Sequence, residues 1–394
     1  MKRDDIFQDL VKKGAKNNLL ILPTGYGKSK YAIDLACDKE CKNILVVVPK
    51  LVLIKNWNEE FKKWLKPETV MVKYSTYASI HKWAGCEFDM VIWDECHHIT
   101  ERVMDIIPTI KTKFSTLLSA TVKRDKLYAL REIFSGLNVV RHTLKDAIEE
   151  EILPQPKVYL VQLHLSPEKQ DKIVIRKTGK KPVIKGEYHQ LKKLKATYPV
   201  NTIEITCHQL QKNLYYSNEI DYWKRRYIFT QQEFLKNNWL RIAGERLKWL
   251  SDIKTDIVRE ILEKLGKYRV ITFCSSIKQT EELGKNNISS KNKKAPEVLK
   301  NFNEGKIDHI TACEMLNEGV NLSNCQIGVF ASLNSSEIMQ IQKIGRLLRH
   351  KQPFLIVPYF HNTRDEEIVK KMFEGQEVER ISLSILMKIL DNEN

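Results

Sequence analysis

The chain has 394 residues, enough for two domains that each bury a core of their own. Its hydrophobic content of 42% and charged content of 29% are ordinary for a soluble globular protein. No apolar run approaches the roughly 20 residues of a bilayer span, and the start (Met1-Lys2-Arg3-Asp4-Asp5) lacks the apolar core of a signal peptide. Membrane-spanning and secreted classes are excluded on this reading, and a cytoplasmic location is expected. The 65 Lys and Arg against 49 Asp and Glu leave a net charge of +16, which suits a polyanion such as nucleic acid; a solvated lysine-rich surface is the alternative.

In chain order, residues 1–18 pattern as an amphipathic helix (Ile6, Phe7, Leu10, Val11) leading into a short apolar strand at 19–22. Pro23 breaks that strand, and Thr24-Gly25-Tyr26-Gly27-Lys28-Ser29 turns into a helical pattern. Strand, glycine turn and helix in this order make a phosphate cradle: backbone N–H groups point inward, the helix offers its positive end and Lys28 adds a full charge. The Ser29 hydroxyl is suited to holding Mg²⁺ beside the phosphates. Leu22 stands where the usual cradle begins with a small residue. Residues 43–48 form an almost continuous apolar strand, and Trp57, Phe61, Trp64 and Leu65 mark the helix after it. Strands follow at 70–74, at 90–93, ending in Asp94-Glu95-Cys96-His97-His98, and at 114–119, ending in Ser119-Ala120-Thr121. Apolar strands alternating with helices predict a doubly wound α/β domain whose ligand lies at the carboxyl ends of the strands.

Beyond Pro154 and Pro156 the texture changes. Residues 157–165 alternate as a strand would, 169–195 carry ten Lys or Arg against two acids, and 205–250 read as helices rich in aromatic and basic residues. A second α/β run occupies 270–273, 307–311, 326–331 and 354–358, with helices between, and 285–294 reads as an exposed loop. The fold expected is therefore α/β, with two parallel-sheet domains in tandem. The first covers 1–150 and the second 151–394, the latter carrying a basic, largely helical insertion at about 166–250. Eight scattered cysteines lack zinc-finger spacing and are expected as reduced, mostly buried thiols.

Asp94, at the end of a buried strand, is where a phosphate-binding enzyme keeps the carboxylate that holds Mg²⁺, and Glu95 is suited to orienting or deprotonating the attacking water. Arg346 and Arg349 lie three apart on one face of an expected helix and belong to the second α/β run. They reach a phosphate bound by the first run only when the two close together, which ties hydrolysis to closure.

In order and spacing these stretches resemble the superfamily 2 helicases and translocases whose second motif reads Asp-Glu-x-His. The first motif corresponds to 23–29, the second to Asp94-Glu95-Cys96-His97 and the third to 119–121. The fourth corresponds to 271–275, the fifth to 318–322 and the sixth to 342–349. Residues 144–153 and 358–366 also resemble the branch with phage and repair branch-migration helicases and restriction-enzyme motors. The resemblance implies two RecA-like domains, ATP and Mg²⁺ as cofactors, and an upstream Gln8, preceded by Arg3, that reads the adenine edge. It also implies Gly319 and Asn321 at the nucleotide, Gln342 as catalytic beside the arginine fingers Arg346 and Arg349, and His97, Ser119 and Thr121 coupling nucleotide state to strand grip. Pro49, Lys50, Ser275 and Thr311 are implied as nucleic-acid contacts, while Lys180, Lys181, Lys192, Lys193 and Lys195 are the basic candidates of the insertion. Asn321 stands where many relatives have Asp, and Lys343 where many have Arg.

The function expected is an ATP-dependent helicase, monomeric on its substrate, acting on DNA rather than RNA and at forks or branched junctions. A phage or mobile-element origin would make its location the host cytoplasm. A duplex translocase that leaves the strands paired is the alternative, followed by an RNA helicase or nucleic-acid-sensing switch. A phosphate-loop protein unrelated to nucleic acid would show no stimulation by any polynucleotide.

Overall fold

The computed structural model describes residues 15–65, 70–176, 182–313, 322, 325–334, 350 and 352–392. The amphipathic pattern at the N-terminus falls mostly outside them, and Asn17 and Asn18, counted with that helix, instead open the first strand.

Two wholly parallel sheets follow one another. The first has six strands in the order β3-β2-β4-β5-β1-β6: Met71–Thr76, Asn43–Val48, Glu87–Trp93, Lys111–Ser119, Asn17–Ile21 and Asn138–Arg141. Helices α1 (Lys28–Asp38), α2 (Val52–Trp64), α3 (Glu101–Ile106) and α4 (Arg124–Ile133) connect them. Both faces are covered, which is why these strands read as apolar runs. Leu20, Ile44, Val46 and Val48 pack into one core, and Leu19, Ile21, Leu45 and Val47 into the other. Helix α5 (Leu144–Glu149) is held at its start by Thr143, whose hydroxyl accepts from the Asp146 N–H while the Asp146 carboxylate accepts in return. Its Leu144 and Ala147 belong to the same buried cluster as Leu20 of the first sheet and Leu160 of the second.

The second sheet has seven strands in the order β12-β13-β11-β14-β15-β7-β16. They are Asn287–Ile288, His309–Ala312, Val270–Phe273, Ile327–Phe330, Phe354–Phe360, Lys157–Leu163 and Glu379–Ser382. The first of these corrects the exposed loop expected at 285–294. Ile288 is an apolar side chain with a core to enter, so it and Ser289 are buried and the strand pairs with β13.

The insertion leaves after β7 and returns before β11. It begins with a three-stranded sheet, β8-β10-β9 (Gln170–Ile175, Ile203–His208, Ile184–Glu187), that the basic composition had masked. Ile173, Ile203, Ile205 and Cys207 bury one face of it, while the alternate positions carry the lysines and acids. Helix α6 (Leu191–Thr197) packs on this sheet. Two long helices follow, α7 (Gln209–Thr230) and α8 (Glu233–Asp252), as an antiparallel hairpin, then α9 (Thr255–Lys264). The remaining helices of the second lobe are α10 (Ile277–Leu283), α11 (Ala295–Asn303), α12 (Arg364–Met372) and α13 (Leu383–Asn392). At the join of α8 and α9 the ammonium of Lys254 is fully buried. It donates to Asp365 Oδ2 at 2.9 Å and to the Pro358 carbonyl at 3.3 Å.

Candidate active site

The carboxyl ends of β4, β5 and β1 are consecutive along the first sheet. At about 4.8 Å per strand, the turns after β4 and β1 lie about 10 Å apart, within the span of a triphosphate. After β1, the Leu22 N–H continues the ladder onto the Ser119 carbonyl (3.0 Å) and the chain then turns through Gly25 (φ +90°) and Gly27 (φ +101°). Both angles lie in the left-handed region open to glycine, and the Tyr26 N–H closes the turn onto the Pro23 carbonyl at 3.3 Å. Tyr26 is buried beneath the turn, and the Lys28 ammonium lies across it, donating to the Leu22 carbonyl at 2.9 Å.

Across β5, the Asp94 N–H donates to the Val47 carbonyl at 2.9 Å, which fixes the residue at the end of β4. Its carboxylate is gripped from two sides, Oδ2 accepting from Trp57 Nε1 at 2.8 Å and Oδ1 from the Glu95 N–H at 3.0 Å. The Tyr77 hydroxyl donates to its carbonyl at 2.8 Å. Glu95 adopts a left-handed φ of +49°, a conformation that costs a non-glycine residue roughly 1–2 kcal/mol. Cys96 is fully buried in the core, so the variable position of the motif is a packing residue.

Burial pushes the Asp94 carboxyl up to about 7, the neighbouring Glu95 carboxylate adds to the rise, and the Trp57 N–H and the Lys28 charge oppose it. Two crowded, half-buried carboxylates beside a phosphate cradle make a donor set that a hard divalent cation would relieve. That chemistry fits Mg²⁺, which Asp94 and Ser29 would hold.

His97 joins the two motif ends. Its Nδ1 shares a hydrogen bond with Ser119 Oγ at 3.0 Å and lies 3.4 Å from Glu95 Oε2. Ser119 Oγ in turn donates to the Thr121 carbonyl at 2.7 Å. A continuous path therefore runs from Glu95 through His97 to the residues after β5, while the Ser119 backbone anchors the glycine turn.

Pro49 and the exposed Lys50 follow β2 on the same edge, and Leu51, 73% exposed, leads into α2. Trp57 lies in that helix, and the sequence pattern that marks the helix gives no sign of its bond to Asp94. A buried indole N–H must find an acceptor, and that need was the available signal. In the second lobe the Ser275 N–H and hydroxyl both donate to Gln279 Oε1 (2.9 and 3.2 Å). The buried Gln279 amide donates onward to the Ser251 carbonyl at the end of α8 (2.8 Å). Two expected nucleic-acid contacts have partners within the protein. Thr311 is buried within β13 with its hydroxyl donating to the Thr280 carbonyl, because a small β-branched residue suits an interior strand. Lys195 is paired with Glu219 at 2.6 Å and so joins α6 to α7. Lys192 and Lys193 are exposed. Arg3, Gln8, Lys180, Lys181, Gly319, Asn321, Gln342, Lys343, Arg346 and Arg349 lie outside the described residues.

Two family profiles match the chain. One, described as the type III restriction enzyme res subunit, spans 4–82 and contains the glycine turn. The other, the helicase conserved C-terminal domain, spans 253–351 and contains the basic stretch at 342–349. The two matches fall in chain order on two tandem parallel sheets. In these two matches and their order the chain is similar to the superfamily 2 helicases and translocases. It is 23% identical over 367 residues to the DNA 3'-5' translocase XPB2 of Sulfurisphaera tokodaii, covering 85% of this chain and 75% of the relative. In fold it is similar to the Hef helicase domain of Pyrococcus furiosus, with a TM-score of 0.53 and 14% identity over 94% of this chain and 97% of that one. Dbp5 of S. cerevisiae bound to RNA and ADP BeF3 gives 0.60 and 11% over 99% and 92%. The type ISP restriction-modification enzyme LlaBIII bound to DNA gives 0.54 and 13% over 100% of this chain and 33% of that one. The two matched domains and the translocase relative indicate an ATP-dependent nucleic-acid enzyme.

Proposed function

We propose that this enzyme is a DNA motor that couples ATP hydrolysis to movement along a strand and separates duplex at forks or branched junctions. The observation that carries it is the half-buried Asp94 carboxylate, held beside Glu95, whose carboxylate is connected through His97 to Ser119, the residue whose carbonyl anchors the glycine turn. The glycine turn and Lys28 bind the β and γ phosphates, and Glu95 takes the proton of the attacking water. Bound Mg²⁺ would supply positive charge against the phosphate oxygens. Arg346 and Arg349 complete the site from the second lobe, with Gln342 beside them and Gly319 and Asn321 on the nucleotide, while Arg3 and Gln8 take the adenine.

In this reading the lobes are 1–150 and 151–394, with the insertion at about 166–250. Contacts from Lys50, Ser275, Lys192 and Lys193 to phosphates give grip without base preference. DNA is favoured over RNA by the likeness to a DNA translocase, and the enzyme works as a cytoplasmic monomer. The same likeness favours a second reading, translocation on duplex DNA without strand separation.

The test is ATP turnover with single-stranded, duplex and forked DNA and with RNA, using Lys28→Ala as the blank. Forked-DNA stimulation with strand displacement supports the first reading. Triplex displacement without strand separation supports the second, and RNA-only stimulation refutes both. Replacing Arg346 or Arg349 by Lys lowers kcat by roughly 10³- to 10⁵-fold if they act as arginine fingers.

A further inference from the structure

The hairpin of α7 and α8 is firmly seated at one end only. At its base Trp249 is buried in the second-lobe core, with its indole N–H donating to Asp171 Oδ2 at 2.7 Å. The Lys212 ammonium bonds Asp171 Oδ1 at 2.7 Å, and Glu219 takes the bond from Lys195. From Glu219 to Phe229 is ten residues, or about 15 Å of helix. Over that length the hydrogen bonds of the described side chains stay within the hairpin, between Arg226 and Tyr222, Lys236 and Glu233, and Arg241 and Glu245. Ile220, Leu235 and Ile242 are buried and hold the two helices together.

The far end is apolar where water-exposed turns are usually polar. Phe229 is 90% exposed, Ile228 59% and Phe234 56%, grouped around the turn at Gln231. Behind them stand Lys224, Arg225 and Arg226, three successive bases, all exposed. Cations and rings are interleaved here: Arg226 lies over Tyr222, Lys224 over Trp239 and Lys236 over Tyr227. Arg225 and Phe229 are one turn apart on one helix face.

An exposed aromatic cluster marks a contact surface, and its chemistry names the partner. A purely apolar partner would leave the three bases unanswered. An interfacial membrane helix would present a long apolar stripe, whereas the exposed apolar groups here sit at a turn containing Thr230, Gln231 and Gln232. Flat rings beside guanidinium groups match nucleobases flanked by phosphates.

We propose that the tip of this hairpin is a stacking surface for bases laid bare where a nucleic-acid duplex opens, with Phe229 as the platform and Arg225 and Arg226 on the flanking phosphates. The assignment rests on the nucleic-acid motor reading and adds to it the residues that distinguish a junction from a plain strand.

The experiment measures affinity of the full chain by fluorescence anisotropy for a forked DNA, the matching single strand and the blunt duplex, for wild type, Phe229→Ala and Phe229→Trp. One lost stack, at ~1–3 kcal/mol and 1.4 kcal/mol per tenfold, predicts that Phe229→Ala weakens fork binding by at least about fivefold. Single-strand binding should fall less than fork binding, and Phe229→Trp should restore the fork affinity. Fork binding by Phe229→Ala equal to wild type overturns the proposal. It is also overturned if the substitution instead changes the sedimentation of the free protein, or its pelleting with anionic vesicles, while fork affinity stands. Wild type that binds no polynucleotide removes the motor reading itself, and this proposal with it.

Discussion

Lys254→Met tests the joint between the insertion and the second lobe. The Lys254 ammonium and the Asp365 carboxylate are 0% and 1% exposed, and 2.9 Å apart. Asp365 Oδ2 also accepts from the Phe360 N–H at 3.3 Å, so removing the lysine strands a carboxylate at the end of β15. Loss of one partner of a buried pair costs about 3–5 kcal/mol, because the remaining charge keeps its desolvation penalty. For a unit of this size, at about 2–4 °C per kcal/mol, the melting temperature of the second lobe should fall by about 6–20 °C. Thermal and guanidinium unfolding followed by tryptophan fluorescence would read it, since Trp249 sits in the adjoining core. The double variant Lys254→Met, Asp365→Leu removes both charges, so its loss should be well below the sum of the two single losses. A single-variant loss under about 1 kcal/mol, or a double loss equal to that sum, would refute the reasoning.

Trp57→Phe keeps an aromatic ring but deletes the donor to Asp94. A hydrogen bond to a charged group is worth about 1.5–3 kcal/mol, so the Mg²⁺ concentration giving half-maximal ATPase should rise roughly 10- to 100-fold near pH 7. The penalty should shrink at higher pH, where the carboxylate is ionised without help; an Mg²⁺ titration at two pH values checks both statements. The raised Asp94 carboxyl also sets a pH slope. Between its ordinary 3.8 and about 7 the folded state keeps a proton that the unfolded state releases, so metal-free stability should fall as pH rises through that window. Asp94→Asn should flatten the curve of melting temperature against pH measured in chelator, and an unchanged slope would assign the effect elsewhere. Lys192→Gln with Lys193→Gln should weaken binding to single-stranded DNA and make its logarithm less steep in log salt by about 0.7 for each phosphate no longer neutralised. An unchanged salt slope would remove both lysines from the interface.

The architecture was legible where local pattern and tertiary role coincide. Residues 43–48 read as a doubly buried parallel strand because nearly every side chain is apolar, and the glycine turn declared itself because only glycine suits the φ values at 25 and 27. What stayed hidden depends on partners far away in sequence. Nothing near Trp57 announces Asp94, and nothing near Gln279 announces Ser251. The small sheet of the insertion escaped because its strands alternate isoleucine with lysine and acid, so composition counted the wet face and overlooked the dry one. The pairing of Lys195 was hidden for the same reason: a base in a basic run looks free until Glu219 is placed beside it.

The position of the insertion has a consequence for synthesis. Strand β7 is flanked in its sheet by β15 and β16, and Tyr359 of β15 meets Gln162 of β7 across 197 residues of chain. Emerging from a ribosome at about 5–20 residues per second, β7 waits roughly 10–40 s for its neighbour while the whole helical hairpin passes by. A strand of buried apolar residues left unpaired that long is a place for misassembly. Chaperone demand and yield in heterologous expression should therefore depend more on residues 157–163 than on the catalytic motifs.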